Sequence, residues 1–379
     1  MAKLKSSQAG KFLYGFLFVV VLPVLLVVWA RATEAKVHLP AIHSVLIGSI
    51  ISLCGGITML WGMISLTVYG KGLPMSPYPP TLFVSRGIYN LIAHPIYTGF
   101  CILCIGVAIG TGSASGLWLV SATMILGCVA LVQGFEKHGL RDRFGPAIRD
   151  PILHLPSNDE STPTFADRLS VYALVLFPWL ILYEAVRFIG LPPDAVTVYT
   201  QIERSLPVFE WTEVVYASTY IFVIMVPIVA RTRRDLRDFS ISGLIATGLI
   251  ILLFLTLPFI APPRPFTPHG LFGRLLNWER SIDTPAAAFP SFHVLWAFLA
   301  ARVFVRRMRS WKYIWWGWAI AVSISCITTG MHAAIDVVAG FIVFAIVACR
   351  QAIWDKVRGG YRICRELVER VAFWTGSSD

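Results

Sequence analysis

The chain has 379 residues, of which 56% are apolar and only 14% are charged, and its formal net charge is +11. A soluble domain carries roughly 25% charged residues, so this composition excludes a large water-soluble enzyme and indicates an integral membrane protein. The basic excess does not indicate nucleic-acid binding, because it lies between apolar runs and no nucleic-acid-binding motif accompanies it. We therefore expect membrane lipids, and no nucleic acid, as partners.

About ten apolar runs follow one another along the chain, and most are long enough to form a helix that crosses a bilayer. Such a helix needs about 20 residues, because each residue adds ~1.5 Å across a hydrocarbon core of ~30 Å. The runs lie at about 12–30, 41–69, 91–111, 117–134, 169–189, 211–230, 240–260, 289–305, 312–331 and 333–350. The pattern predicts an all-α, polytopic transmembrane protein whose last two spans are separated only by the polar residues around His332.

Lysine and arginine are unevenly distributed among the segments that connect these runs. With a cytoplasmic N-terminus, the cytoplasmic segments hold 24 of these residues and the segments on the other side hold six. The positive-inside rule therefore predicts that the N-terminus and the C-terminus are both cytoplasmic. We expect the basic excess to face the anionic headgroups of the inner leaflet.

A polar stretch from Pro151 to Asp167 divides the apolar runs into four and six. Proline and short polar residues are typical of a linker, and the two parts do not repeat one another. The sequence therefore predicts two fused membrane domains joined by a cytoplasmic linker. The predicted boundaries are 1–156 for a four-span domain, 157–168 for the linker, 169–352 for a six-span domain and 353–379 for a basic cytoplasmic tail.

The loop after the second run is dense in proline and glycine, with the sequence Gly70-Lys-Gly-Leu-Pro-Met-Ser-Pro-Tyr-Pro-Pro80. Because these residues break helices, we predict an ordered cytoplasmic loop over 70–88. His94 and Tyr97 follow one turn apart at the start of the third run and would face that loop. Glu136 follows the fourth run.

These features, with the motif His94-Pro-Ile-Tyr-Thr-Gly99, resemble the isoprenylcysteine carboxyl methyltransferase family over about 45–156. The resemblance implies methyl transfer from S-adenosylmethionine to a lipid-like acceptor at the cytoplasmic face. The residues that would bind the cofactor are His94, Tyr97, Gly99 and Glu136. Ala93 stands where the family has an arginine, and 146–150 differ from its tyrosine-rich segment. Three interpretations stay open: catalytic methyl transfer, a domain with only a lipid-binding or structural role, and a different cofactor or reaction.

Three polar clusters of the second domain lie at ends of apolar runs, on the side that the predicted orientation makes extracytoplasmic. They contain Arg264, His293 and His332. Charged and imidazole groups cost several kcal/mol at membrane depth, so their placement at one face predicts a functional site.

The residue types at these positions suit the transfer of a phosphoryl group. His332 and Asp336 are four residues apart, which predicts one shared helix face where the carboxylate fixes the imidazole tautomer and leaves the other nitrogen a better nucleophile. His293, if protonated, can give its proton to the departing alkoxide. Arg264 and Ser291 can hold phosphate oxygens, the serine together with the amides of a helix start.

The chain resembles the type 2 phosphatidic acid phosphatase superfamily over about 165–352, in the motifs Arg264-Pro265, Pro290-Ser-Phe-His293 and Ser325-x6-His332-x3-Asp336. The resemblance implies metal-independent chemistry, without a cofactor, through a phosphohistidine on His332. It also implies that His293 is the acid and that Asp336 orients the nucleophile.

Three positions depart from the pattern of that superfamily. Its lysine, arginine and glycine are replaced here by Leu257, Cys326 and Phe292. The motif Phe289-Pro-Ser-Phe-His293 looks more similar to the branch that contains inositol phosphorylceramide synthases, which transfer headgroups between lipids. Each charge-assisted hydrogen bond is worth roughly 1.5–3 kcal/mol, so losing two cations disfavours a dianionic monoester more than a phosphodiester. Arg274 or Arg280 could replace the missing charges, so the substrate class stays open.

The leading hypothesis from the sequence is a membrane lipid phosphatase or phosphotransferase that acts at the extracytoplasmic face. One alternative is a methyltransferase that uses the first domain, and another is a non-catalytic protein that binds or flips lipids with an inactive hydrolase site. The sequence indicates neither the lipid nor the oligomeric state.

Overall fold

The computed structural model describes residues 15–72, 80–145, 148, 150–353 and 355–356. The predicted cytoplasmic N-terminus, positions 73–79 of the predicted loop and almost all of the predicted tail lie outside the described residues. Contacts between residues divide the chain into two units. The first comprises 1–155 and 164–174, and the second comprises 156–163 and 175–379.

The first unit consists of helices. In chain order they are α1 (Leu22–Thr33), α2 (Val45–Gly70), α3 (Pro95–Thr111), α4 (Ala122–Leu131), α5 (Lys137–Phe144) and α6 (Phe165–Val171). Turns of π-helix at Leu17–Val21, Gly116–Ser121 and Val132–Glu136 extend α1, α4 and α5 at their N-terminal ends.

Helices α2 and α3 pack with their backbones in close contact at glycines spaced seven residues apart. A Cβ atom on Gly55 would lie 2.5 Å from the Leu103 nitrogen, and a Cβ on Gly99 would lie 2.5 Å from the Met59 nitrogen. Small residues at a helix interface allow this approach, which supplies the van der Waals contact that holds membrane helices together.

In the described residues of the second unit, the regular structure is also helical except for one pair of short parallel strands. These are β1 (Val196–Thr197) and β2 (Phe259–Ile260). Its longer helices are α7 (Phe177–Ile189), α9 (Glu213–Val229), α10 (Arg233–Thr256), α11 (Gly270–Ile282), α12 (Phe292–Arg307), α13 (Lys312–Thr328) and α14 (Ala334–Ala348). The short helix α8 (Gln201–Ser205) follows β1. Helix α12 is the most enclosed, because its Val294, Leu295, Ala297, Ala300 and Ala301 are completely buried.

Within the described residues, five helical stretches are long and apolar enough to cross a bilayer. They are Leu17–Lys36, Val45–Gly70, Phe165–Ile189, Glu210–Val229 and Arg233–Thr256. Shorter apolar helices lie at Pro95–Thr111, Gly116–Leu131 and Ala334–Ala348. The protein is therefore a mainly helical, multi-pass membrane protein, while ten spans and their division into four and six stay predictions.

The predicted linker at 157–168 is held in place over its first part. The backbone nitrogens of Arg233 and Arg234 donate to the carbonyls of Ser161 and Asp159, each over 2.9 Å. The side chain of Arg237 donates to the Pro156 carbonyl over 2.9 Å. The segment 156–163 is therefore fixed on the N-terminal end of α10, and a helix begins directly after it at Phe165.

A charged network joins three segments at the end of α12 remote from His293. Asp238 of α10 accepts from Arg302 over 2.9 Å and from Arg306 over 3.0 Å, and it also pairs with Arg350 beyond α14. Ion pairs that share one carboxylate in this way tie the ends of these segments together.

Candidate functional site

The predicted catalytic residues of the second unit converge at one end of its helices. His293 lies in the first turn of α12, and Ser291 is the residue that precedes this helix. His332 lies in the loop between α13 and α14, and Asp336 lies in the first turn of α14. Three helix ends therefore meet at the site.

The two imidazole rings share one enclosed space. Their centroids are 5.8 Å apart and the ring planes are inclined by 63°. Tyr216 of α9 lies against both rings, since it stacks on His293 at 4.0 Å and its hydroxyl is 3.5 Å from Nε2 of His332. Both histidines are buried.

Nε2 of His332 faces two hydroxyl groups, those of Ser291 at 3.4 Å and Tyr216 at 3.5 Å. A serine before a helix usually caps it, but the side chain of Ser291 makes no capping bond and points to the histidine instead. The two hydroxyls and the N-terminus of α12 therefore lie together next to Nε2.

The other nitrogen of His332 faces Asp336. The distance from Nδ1 to Oδ2 of Asp336 is 3.5 Å, which is longer than a normal N–H···O hydrogen bond. Oδ2 already accepts from the Ala333 nitrogen over 2.8 Å. Nδ1 of His332 and Oδ1 of Asp336 are both buried and have no hydrogen-bond partner in the described part of the chain. The two groups are neighbours, and a small rotation of the carboxylate would join them.

The helical spacing expected for His332 and Asp336 is not the reason that they meet. Helix α14 begins at Ala334, so His332 precedes it and does not share a helix face with Asp336. The carboxylate lies near the imidazole because Asp336 is in the first turn, where acidic side chains bind the free amides of a helix start.

Two glycines permit this arrangement. Gly330 lies in the turn that leads to His332 and has φ +70°. Residues other than glycine rarely adopt this left-handed backbone conformation. On α14, a Cβ on Gly340 would lie 2.5 Å from the carbonyl oxygen of Ser291. The nitrogen of Ser291 also donates to the Asp336 carbonyl over 3.0 Å, so α14 touches the backbone that carries the serine.

Arg264 lies beside the loop of His332 but binds mainly to the backbone. Its guanidinium donates to the carbonyls of Glu203 at 2.9 Å, Leu206 at 3.0 Å and Ile327. The backbone nitrogen of Arg264 donates to the Gly330 carbonyl over 2.9 Å. Its Nε is buried without a hydrogen-bond partner among the residues that the structure describes. Arg264 therefore fixes this loop through its hydrogen bonds to the backbone.

Arg280 is the second buried cation next to this loop. It donates to the carbonyls of Arg264 at 2.7 Å and Thr329 at 2.6 Å, and it stacks on the Phe266 ring at 4.3 Å. Burial lowers the pKa of Arg280 to about 10, so it stays charged at neutral pH. Arg274, the other candidate replacement for the missing cations, is exposed.

The departures from the superfamily pattern have visible surroundings. Cys326 is completely buried, and its Sγ is 3.9 Å from the Ser291 hydroxyl, so this position lines the site without a charge. The ring of Phe292 packs edge-to-face against Trp179 and Tyr183. Leu257 terminates α10.

Sequence reasoning missed the polar residues that α9 and α11 contribute. Tyr220 of α9 bonds His293 over 3.0 Å, and Glu279 of α11 accepts from Tyr220 over 2.6 Å. Glu213 of α9 is completely buried, and both its carboxylate oxygens lack a hydrogen-bond partner within the described ranges. A signal was present, because Glu213, Tyr216 and Tyr220 recur at helical spacing in an apolar run.

The residues predicted to bind a cofactor in the first unit form a looser group. Nδ1 of His94 is 3.7 Å from Oε1 of Glu136, and the His94 and Tyr97 rings are 6.2 Å apart. Oε2 of Glu136 is buried and has no hydrogen-bond partner among the described residues. Gly99, in contrast, is in contact with the backbone of α2, so packing accounts for the glycine.

Comparison with known families assigns a class to each half. Residues 181–350 match the model of the PAP2 superfamily, which supports a membrane lipid phosphatase-type function for the second half. Residues 43–147 match the model described as phospholipid methyltransferase. Both family resemblances predicted from the sequence are therefore confirmed. Searches among curated proteins and among solved structures found no match.

Proposed function

We propose that the second unit cleaves or transfers a lipid phosphate at the extracytoplasmic face through a phosphohistidine on His332. The observation that carries this proposal is the buried pair of histidines, with Nε2 of His332 facing the Ser291 and Tyr216 hydroxyls. The match to the PAP2 superfamily supports a phosphatase or phosphotransferase activity in general.

In the proposed reaction, Nε2 of His332 attacks phosphorus and the bond from phosphorus to the departing lipid oxygen breaks. His293 gives a proton to that oxygen. Water or a lipid hydroxyl then attacks the phosphohistidine and loses its proton to His293, which restores both residues. Asp336 stabilises the charge that develops on His332, while Ser291, Tyr216 and Nε of Arg264 bind phosphate oxygens.

A phosphodiester, such as a phospholipid with its headgroup, is the substrate class that we favour. Cys326 leaves one expected cation position uncharged, and Arg264 spends most of its donors on backbone carbonyls. Fewer free cations favour a monoanionic diester over a dianionic monoester. Headgroup transfer, as in the inositol phosphorylceramide synthase-like branch, is therefore the version of the reaction that we propose.

Purified protein with a labelled phospholipid, with and without ceramide or diacylglycerol, tests this version. We expect a labelled product that requires the acceptor, together with an acid-labile phosphoenzyme that is absent in His332→Ala. His269→Ala is the matched control, because the His269 side chain is 80% exposed. Release of the headgroup phosphate that is independent of acceptor would exclude transfer and leave hydrolysis.

Methyl transfer by the first unit is a second proposal, carried by the buried unpartnered Oε2 of Glu136 among the described residues. His94, Tyr97 and Glu136 would hold S-adenosylmethionine, which would supply the methyl group. Gly99 would act through packing. Titration calorimetry with S-adenosylmethionine tests the first step, and absence of heat at millimolar cofactor in an intact protein would exclude it.

A non-catalytic lipid-binding or flipping protein is the rival that involves no chemistry. It predicts that lipid binding or flipping survives in His332→Ala and that no phosphoenzyme forms in the unaltered protein.

The orientation that we propose, with cytoplasmic termini next to anionic inner-leaflet headgroups, is tested by labelling of single cysteines introduced near each end of the chain.

A further inference from the structure

His293 is the end of a hydrogen-bonded chain that the proposed reaction does not yet use. Its Nε2 is 3.0 Å from the hydroxyl of Tyr220. That hydroxyl donates to Oε1 of Glu279 over 2.6 Å, and Glu279 is only 4% exposed. A carboxylate, a phenol and an imidazole from α11, α9 and α12 are thus connected inside the protein.

The direction of the bonds determines the tautomer of His293. Because the Tyr220 hydrogen is given to Glu279, the phenol oxygen can only accept from His293, and Nε2 must carry a hydrogen. The proton that His293 exchanges with a substrate must then be the one on Nδ1. The stacked ring of Tyr216 at 4.0 Å keeps the imidazole plane in this orientation.

We propose that Glu279, acting through Tyr220, is a positioning residue that keeps the exchangeable proton on buried His293 until the lipid oxygen departs. This inference rests on the proposed function, in which His293 is the general acid. Its physical basis is that a carboxylate connected by short hydrogen bonds stabilises an imidazolium, whereas burial alone favours the neutral ring.

The proton count closes over the two steps. In the first, the N–P bond forms, the P–O bond breaks and Nδ1 of His293 loses its proton to the alkoxide, while Nε2 keeps its hydrogen bond to Tyr220. In the second, the attacking hydroxyl gives its proton to Nδ1 as the O–P bond forms and the N–P bond breaks. Glu279 and Tyr220 keep their own atoms throughout, and no other reactant is needed.

Other titratable groups lie close to His293 or to the residues that contact it. They are Tyr183 of α7, Glu213, Tyr216 and Tyr220 of α9, Glu279 and Asp283 at the end of α11, Cys326 of α13, His332 in the loop before α14, and Asp336 in the first turn of α14. Only Glu279 is joined to it through Tyr220 in the described structure. Burial by itself raises the pKa of Glu279, and the bond from Tyr220 opposes this effect, so the bond favours the carboxylate that an imidazolium needs.

A purely structural role for this chain predicts something different. If Glu279 and Tyr220 only tied α11 to α9, their loss would slow every substrate equally. Glu210, which lies just before α9, supplies a matched control, because its carboxylate accepts from the His269 nitrogen just before α11 over 2.9 Å. Glu210→Gln removes a charge between the same two helices at a place remote from His293 in the sequence.

The experiment compares Glu279→Gln, Tyr220→Phe and Glu210→Gln in the full-length protein, with two substrates and over a range of pH. One substrate is a natural phospholipid, and the other is a nitrophenyl phosphodiester whose leaving group departs without a proton. We expect the Glu279 and Tyr220 variants to lose about 10²-fold in kcat/KM on the phospholipid but less than about threefold on the nitrophenyl ester. In the pH–rate profiles of these two variants, the fall in rate at alkaline pH should begin at a lower pH, because His293 would lose its proton more easily.

The proposal would be overturned if the Glu279 and Tyr220 variants lost kcat/KM equally on both substrates and kept the pH–rate profile of the unaltered protein. Glu210→Gln should leave the profile unchanged, and a shift there would show that any charge between these helices has the same effect. If Glu279→Gln does not fold, Tyr220→Phe supplies the same two readouts. Failure of the proposed function itself is distinguished by His332→Ala, which would then retain turnover on both substrates.

Discussion

In the second unit the predicted catalytic side chains are enclosed, whereas in the first unit the predicted cofactor-binding side chains are partly exposed. The side chains of His332 and Asp336 are 4% and 0% exposed, and those of His94 and Glu136 are 25% and 32% exposed. The first pair is surrounded by hydroxyls and helix ends, and the second is a single contact at 3.7 Å. A dry, crowded site holds its groups in place before substrate arrives, while an open site depends on its ligand to complete it.

The largest effect should come from replacing the proposed nucleophile. His332→Ala should lower phosphoryl transfer by several orders of magnitude, because no other described side chain can take its place between Ser291 and Asp336. S-adenosylmethionine binding should not change. Rates from labelled lipid and cofactor titrations on the same sample measure both. Activity within tenfold of the unaltered protein would mean that the buried pair is not a reaction centre.

The next effect should come from the close approach of α14 to Ser291. Gly340→Ala places a Cβ within 2.5 Å of the serine carbonyl, so the helix must move away and carry Asp336 with it. A displacement of this kind can cost about 10²-fold in kcat without loss of the fold. Gly317→Ala is the control, because nothing described lies within 4 Å of its Cβ. Equal rates for the two variants would show that Ser291 and Asp336 need not be placed this closely.

A stability effect should distinguish neighbouring glycines in the first unit. Gly55→Ala would bring its Cβ to 2.5 Å from the Leu103 nitrogen, whereas the Cβ of Gly56→Ala meets no described atom within 4 Å. Overpacking of this kind typically costs about 1–3 kcal/mol, so only the first substitution should lower the midpoint of thermal unfolding in detergent. Similar midpoints for both would contradict the backbone contact between α2 and α3.

The smallest effect should come from the partly exposed group of His94, Tyr97 and Glu136 in the first unit. Glu136→Gln removes the charge of a carboxylate whose Oε2 has no hydrogen-bond partner among the described residues. It should weaken S-adenosylmethionine binding about tenfold, since a charge-assisted hydrogen bond is worth roughly 1.5–3 kcal/mol. Calorimetry measures the change, with Glu34→Gln as a control carboxylate on the segment after α1. Phosphoryl transfer should be unaltered. An unchanged affinity would remove Glu136 from the cofactor site.

Motif spacing was sufficient to identify Ser291, His293, His332 and Asp336 as residues that come together, because short motifs at helix ends constrain where a side chain can lie. It was not sufficient to describe their contacts. The four-residue interval between His332 and Asp336 suggested one helix, but the helix starts at Ala334. Local spacing cannot show where a helix begins when the preceding loop is held by distant carbonyl contacts, here those with Arg264 and Arg280.

The amino-acid sequence alone determined the membrane class, the helical runs and the two family resemblances, because apolar length and short motifs are local properties. Tertiary structure decided that Arg264 binds backbone carbonyls, that Tyr216 lies against both histidines, and that Glu279 reaches His293 through Tyr220. These contacts join residues between about 60 and 120 positions apart, and packing of helix ends brings them together. The sequence shows which chemical group each position carries, but the packing of the helices determines which other group it contacts.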